Sequence, residues 1–384
     1  MKNRNKTRIL GFAALIISLF TAACTENGAT MVYTVEFSGK DALIKLADFK
    51  ADEPDFVNVL EKSLAVKEQF PDSLLIDVFY NVWETDLPDK SLASLFMKID
   101  NNIRPDDSND YVYKVIRMKY FEMQKLAALC IADRLDMYGC RVVQNPDGYF
   151  FESDTKRSDV VHYKLKNVRD TAVVRRLITT EGNINLWETY QIDEIGVDFI
   201  DSKAASLQFI QEYEQWQSSP ILGYVKDEDC ETTLSLLNKT KEKAFPENLV
   251  FASGKPDPAK NGLIPIYMLK SYRGKNVLDN SVIIDAKTVV RKNSGYKYHV
   301  LFLTFDSNGA KRFAEITSRN INHTLPITID GKVYSAPNVR DRIDGGKMEI
   351  VGDFSEEEAK IMAVIVKSGR LSINCNIVNI NELH

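Results

Sequence analysis

The chain has 384 residues, 44% hydrophobic and 27% charged, with a net charge of −5. That length suggests two or three domains with ample surface to bury. A mildly acidic balance without a basic cluster argues against nucleic acid as a partner.

Lys2, Arg4, Lys6 and Arg8 precede an apolar run from Ile9 to Phe20, followed by TAAC ending at Cys24. A basic head, a short apolar core and small residues describe a secretory signal rather than a spanning helix, which needs about 20 apolar residues. Thr21-Ala22-Ala23-Cys24 resembles a bacterial lipoprotein box, which implies that residues 1–23 are removed and that Cys24 carries lipid such as palmitate. An ordinary cleaved signal, or an uncleaved anchor, is the alternative. No later apolar run approaches spanning length, so the expectation is a mature chain tethered to the inner or outer membrane and facing the periplasm.

From Met31, VYTVEF alternates like a strand and KDALIKLADF reads as a short helix. Glu53–Gln69 and Ser73–Val82 read as further helices punctuated by Pro54, Pro71 and Pro88. Asp100–Asp110 is a loop. Tyr111–Tyr138 is a long helical pattern with Leu126, Leu129, Ala132 and Leu135 on one side, ended by Gly139. Cys140–Gln144 and Tyr149–Glu152 are β-prone around the turn Asn145-Pro146-Asp147-Gly148. A helix over Val168–Ile178 and a strand over Ile184–Tyr190 follow, and this order fits a ferredoxin-like split βαβ layout. Beyond Cys24 stand Cys130, Cys140, Cys230 and Cys375, which allow three pairings; Cys130 with Cys140 is conceivable, as are buried free thiols.

Asp201–Gln217 and Asp227–Lys243 read as helical connectors, and PENLVFASGKPDPAKNG as a Pro/Gly-rich loop. Val300, Phe302 and Thr304 alternate with Leu301, Leu303 and Phe305, as expected of a strand covered on both faces. Asp306 or Ser307 can cap a helix whose Ala310, Phe313, Ala314 and Thr317 share one face. ITIDGKVYSA is a hairpin turning at Asp330-Gly331, Gly345-Gly346 marks another turn, and MEIVGDF another strand. Ser355 to Glu358 forms a capping box for a helix with Ala359, Met362, Ala363 and Val366 on one stripe, stopped at Ser368-Gly369.

The segments LTFDSNGAKRFAEIT, ITIDGKVYSAPNV, IDGG, GDFSEEEAK and VKSGRL, in this order, resemble the head of the first large periplasmic domain of SecD and SecDF, membrane subunits that assist the Sec translocon. LAALCIADRLDMYGCRVVQ is similar to the base helix of that domain through Arg134, Asp136 and Gly139, and NINLWETYQ to the strand before its head insertion. IYMLKSYRGKNVLDNSVIIDA matches the head's entry, and the N-terminal helices resemble an insertion of the Bacteroidetes type. ESDTKRSDVVHYKLKNVRD departs from the family, standing where a short proline-glycine connection is usual. The implied fold is α+β: a ferredoxin-like split βαβ base with an inserted α+β head and an N-terminal helical region. The implied organisation is signal 1–23, first base strand plus helical insertion 24–110, base 111–200, helical connector and loop 201–262, head 263–370 and returning base strand 371–384.

No phosphate-cradling Gly loop, CxxC, HExxH or nucleophile elbow is present, so neither catalytic residues, metal site nor cofactor is expected. His162, His299, His323 and His384 are far apart, Glu356–Glu358 suit a helix N-terminus, and Trp83, Trp187 and Trp216 suit core or interface. Contact with a partner is expected at YSAPNV and IDGG, through Tyr334, Ser335, Pro337, Asn338, Gly345 and Gly346; the competing reading is that these residues only shape turns. The resemblance implies a non-catalytic envelope lipoprotein that assists Sec-type export by binding the translocon or unfolded secretory polypeptide. Where the transporter family enters a membrane helix the chain stops at His384, so no proton coupling of its own is expected. The alternative is a binding or scaffold module repurposed for another partner.

Overall fold

The computed structural model describes residues 28–195, 219–239, 246–272, 277–293, 295–352 and 354–383. Cys24, Asp201–Gln217, Trp216 and His384 lie outside them. Strict alternation in TMVYTVEF makes β1 (Ala29–Phe37), with Met31, Tyr33, Val35 and Phe37 buried. Ser38 caps α1 (Gly39–Ala47) by accepting the Asp41 amide. α2 (Pro54–Gln69) begins with proline, where no amide is needed, and is followed by α3 (Leu75–Asp86) and α4 (Ala93–Phe96). Phe56, Phe79 and Phe96 close this helical region, ring centroids 5.5 to 6.2 Å apart.

α5 (Asn109–Tyr138) ends at Gly139, whose φ of 107° is glycine's territory. Its inward face carries Ala127, Ala128, Ile131, Ala132 and Leu135. Leu126 and Leu129 are instead 61% and 37% exposed, which corrects the expected stripe. Helix α5 lies on the sheet largely through small residues, so of the expected stripe Ala132 and Leu135 are buried while Leu126 and Leu129 are not.

The chain continues through β2 (Arg141–Val142), β3 (Glu152–Ser153), β4 (Val160–Val168) and α6 (Thr171–Thr179). β4 pairs antiparallel with β1, and β2 and β3 in turn pair with β4. Residues 160–168 are therefore a central base strand rather than a surface connection: Val161, Tyr163 and Leu165 are buried while Lys164 and Lys166 face outward. Ile184–Tyr190 does not join the base sheet. It divides into β5 (Ile184–Leu186) and β6 (Glu188–Thr189) in two other sheets.

After α7 (Ile192–Ile195) come β7 (Ile221–Val225), α8 (Asp227–Lys239), β8 (Leu249–Ser253) and β9 (Ile264–Lys270). β9 pairs antiparallel with β6, β7 and β8. The stretch expected as connector and loop thus builds a small sheet with β9, the first strand after Leu263. Leu222, Val225, Leu249, Phe251, Ile264, Ile266 and Met268 pack under α8 residues Cys230 and Leu237. Pro246, Gly254 and Pro258 flank strands here instead of interrupting them.

The head adds β10 (Leu278–Asp279), β11 (Ile283–Asn293), β12 (Tyr296–Phe305), α9 (Ser307–Arg319), β13 (Ile327–Ile329), β14 (Lys332–Ser335), β15 (Lys347–Val351) and α10 (Glu356–Ser368). Its sheets run β11-β12-β15 and β10-β5-β13-β14. Asp306 caps α9 by accepting the Gly309 amide, and Asp330 and Gly331 turn the hairpin at φ 49° and 80°. On β12, Leu301, Leu303 and Phe305 are buried on one face; on the other Val300 is buried and Phe302 and Thr304 partly so. Both faces are therefore covered, the Val300 side less completely, and Lys287 Nζ, 5.3 Å over the Phe302 ring, shields part of it.

β16 (Cys375–Leu383) returns to pair with β1, completing the base order β16-β1-β4-β2. With α5 and α6 as the two crossovers, this is the ferredoxin-like arrangement, the helical region α1–α4 inserted after β1 and the head inserted after α6. α10 joins the halves. Ala359, Met362, Ala363 and Val366 enter the head core while Ile361, Val364 and Ile365 enter the base core, so it carries two apolar stripes where one is expected. Cys130, Cys140, Cys230 and Cys375 are free thiols.

Candidate functional site

Two chain crossings connect base and head: the segment after α6 and the segment after α10. Arg134, on the inner face of α5 and 0% exposed, holds both. Nη1 donates to the Leu177 and Thr180 carbonyls and Nη2 to the Glu181 carbonyl, on the outgoing crossing. Nε donates to Ser368 Oγ and Nη2 also to the Gly369 carbonyl, on the return. All five guanidinium donors are used, on acceptors at two helix C-termini whose dipoles favour a cation. Burial pushes the Arg134 pKa down from its ordinary value.

Around it the crossings are tied to each other and to α1. The Leu371 amide donates to the Glu181 carbonyl at 2.9 Å. Burial alone would raise the Glu181 carboxyl, but Lys45 and Arg370, at 3.0 and 2.5 Å, hold it below its ordinary range. From the head, Asp330 accepts the Asn183 amide at 2.7 Å and returns its own amide to the Asn183 carbonyl; burial leads the causes that push its carboxyl up. In the sequence Arg134 stands out through the likeness of its helix to the SecD base and as a charge on the same helical face as Ile131 and Leu135; its bonding to both crossings is a tertiary matter.

A second cluster joins the head to the small sheet. Glu188 on β6 accepts from Arg319 Nε and Asn320 Nδ2, each at 2.6 Å, and from the Tyr272 hydroxyl. Burial pulls its carboxyl upward, and these donors more than offset that, leaving it below the ordinary carboxylate range. Nothing in the local pattern of NLWETYQ announces this site.

The residues expected to meet a partner divide into two sorts. Pro337, Asn338 and Gly345 are exposed; Tyr334 and Ser335 are half-buried and Gly346 is buried. Tyr334 packs against the head core with Lys255 Nζ 4.3 Å over its ring, and Ser335 Oγ donates to the Val351 carbonyl at 2.8 Å. At Gly346 a Cβ would stand 2.6 Å from that of Ala310. The two turns are not one patch. Val339 bonds to Asn322 and His323 beyond the C-terminus of α9, whereas Gly346 lies on its first turn. Residues 340–345 form the exposed strip between them, with Ile343 N bonded to Thr317 Oγ1 at 2.9 Å.

Glu358 completes the capping box with Ser355. His162 bridges Thr34 and Asp154, each at 3.1 Å, His299 sits in β12 and His323 is exposed. Trp83 is in the base core and Trp187 Nε1 donates to Thr328 Oγ1 at 2.8 Å. Among the described residues no group of three acidic, histidine or cysteine side chains is placed to hold a metal ion. No helix among them is long and apolar enough to cross a membrane.

Residues 260–373 match the SecDF P1 head subdomain. The protein translocase subunit SecD of Rhodothermus marinus is 26% identical over 378 residues, covering 88% of this chain and 58% of its own length. SecD of Calditerrivibrio nitroreducens is 34% identical over 128 residues, 33% of this chain and 24% of that protein. SecDF of Thermus thermophilus is 42% identical over 81 residues, 21% and 11% respectively. The chain thus spans less than two thirds of these relatives. A solved structure of SecDF, a membrane component that enhances protein export, aligns with 68% of this chain and 94% of its own at 19% identity, with a TM-score of 0.41. The chain resembles the periplasmic base and head of SecD and SecDF.

Proposed function

We propose that this protein assists Sec-type protein export by binding, without bond-making chemistry or proton coupling of its own, and that the exposed end of its head meets the translocon or the polypeptide leaving it. The match of residues 260–373 to the SecDF head subdomain carries this reading. The arrangement of the head supports it. Pro337, Asn338 and the strip to Gly345 are exposed on a scaffold stiffened by α9, while Tyr334 and Gly346 shape the turns beneath. Loops on a rigid scaffold are the usual place for recognition. A lipid on Cys24 would hold the protein at a membrane surface with the head in the periplasm.

The test is photocrosslinking in living cells from a probe placed at Asn338 or Asp344, with trapped partners identified by mass spectrometry. Translocon subunits or many different secretory chains are expected. A single unrelated envelope protein at both positions would overturn the reading.

A further inference from the structure

A groove of about 740 Å³ opens in the base between α5 and the loop joining β2 to β4, and a neighbouring hollow of about 670 Å³ shares its wall residues Phe121 and Lys125. It is far from the head strip in sequence, and Glu152, Ser153, Asp154, Ser158 and Val161 of its lining belong to the segment in which this chain departs from the short connection of the family it resembles. The loop is organised before any ligand arrives. Asn145 Oδ1 accepts the amides of Asp147 and Tyr149, at 3.1 and 2.8 Å, and its Nδ2 donates to the Phe151 carbonyl. Opposite, Gln124 Nε2 donates to the Ser158 carbonyl at 2.9 Å and fixes the loop's far end to α5.

Three features of the lining point to one kind of occupant. Phe121, Tyr149 and Phe151 supply aromatic surface, with Tyr149 47% exposed. The charged side chains are three carboxylates, Asp147, Glu152 and Asp154, against the single ammonium of Lys125. Asp154 is engaged by His162, whereas Asp147 and Glu152 form no ion pair among the described residues. Finally, the groove borders a sheet edge. β3 pairs with β4 through Glu152 and Ser153, and the Asp154 amide bonds to the Val160 carbonyl at 3.0 Å. Alternate residues of an antiparallel strand point their amides to opposite sides, so the Ser153 amide and carbonyl face away from β4.

We infer that this groove binds an extended polypeptide segment carrying a lysine or arginine side chain between apolar ones. The peptide backbone bonds to the outward amide and carbonyl of Ser153 as an added strand, its apolar side chains lie on Phe121 and Phe151, and its cation meets Tyr149, Asp147 and Glu152. A groove of this volume is in the range that buries a ligand of a few residues. The inference rests on the base alone and stands or falls separately from the role of the head.

The test uses the purified full chain and fluorescence anisotropy with three labelled, end-blocked heptapeptides of alternating valine whose central residue is lysine, glutamate or methionine. The lysine peptide is expected to bind at least tenfold more tightly than the glutamate peptide. Asp147→Asn with Glu152→Gln, both at exposed positions, is expected to remove most of that difference. Ser153→Pro, which deletes an outward amide without cutting a ladder bond, is expected to weaken all binding. Equal affinity for the three peptides, no binding of any, or indifference of the lysine peptide to the double substitution would overturn the proposal. So would sedimentation showing that a second copy of the chain occupies the groove and is displaced by none of the peptides.

Discussion

Gly182 lies directly against Arg134: a Cβ added there would stand 2.9 Å from the guanidinium Nη2 and 2.6 Å from Ile365 Cγ2, at a φ of 81°. The outgoing crossing can pass between α5 and α10 only because this residue has no side chain. Gly182→Ala is therefore expected to cost about 1–3 kcal/mol, from strain in the left-handed region and forced movement of a packed junction. A lowered urea midpoint at unchanged m-value checks it; an unchanged midpoint would contradict the packing described.

Arg134→Met should be more damaging. It replaces five donors by none and leaves the Leu177, Thr180, Glu181 and Gly369 carbonyls without the partner they share. Leaving several buried polar groups unmet places the loss at about 3–5 kcal/mol. Hydrogen exchange localises it: the amide of Leu371, bonded to Glu181, should lose protection earlier than amides of the β11–β12 hairpin. Uniform loss would mean that Arg134 does not act at the crossings.

Glu188 makes acid stability a readout of the second cluster. Its carboxyl is held below its ordinary value of 4.5, so in the range around and below that pH the unfolded chain binds the proton more readily than the folded one. Its stabilising contribution is complete above that window and is lost as pH falls through it. Glu188→Gln should flatten the fall of stability across this range; a slope identical to that of the unsubstituted protein would remove Glu188 from the account.

Ser355→Ala removes the hydroxyl that accepts the Glu358 amide at 3.1 Å, while the Glu358 carboxylate still reaches the residue 355 amide. A loss of about 1 kcal/mol is expected. Ser355→Asp should restore most of it, which a structural defect elsewhere would not allow.

Cys24→Ala tests the tether. Metabolic labelling with palmitate should mark the unsubstituted protein alone, and the variant should leave the membrane fraction. Equal labelling of both would refute lipidation at Cys24.

A pattern that closes within a few residues is legible in the sequence. The Asp330-Gly331 hairpin, the Asp306 cap and the Ser355–Glu358 box each follow from residues adjacent in sequence, because the backbone geometry they satisfy is itself local. VVHYKLKNV, by contrast, became the central strand β4 only through pairing with β1. LVFAS, between Pro246 and Gly254, became β8 only because β9 lay alongside it.

What tertiary structure alone decided is which of several apolar faces is buried and which polar group is shared. Leu126 and Leu129 of α5 face out because Ala127, Ala128 and Ala132 allow a closer approach to the sheet. α10 buries two stripes because base and head both close on it. The Arg134 junction and the Glu188 cluster collect partners more than forty residues apart in sequence. The sequence by itself determined turns, caps, strand alternation and the order of segments, since these depend on near neighbours. Burial and long-range hydrogen bonding depend on what the rest of the chain brings alongside, so those waited for the fold.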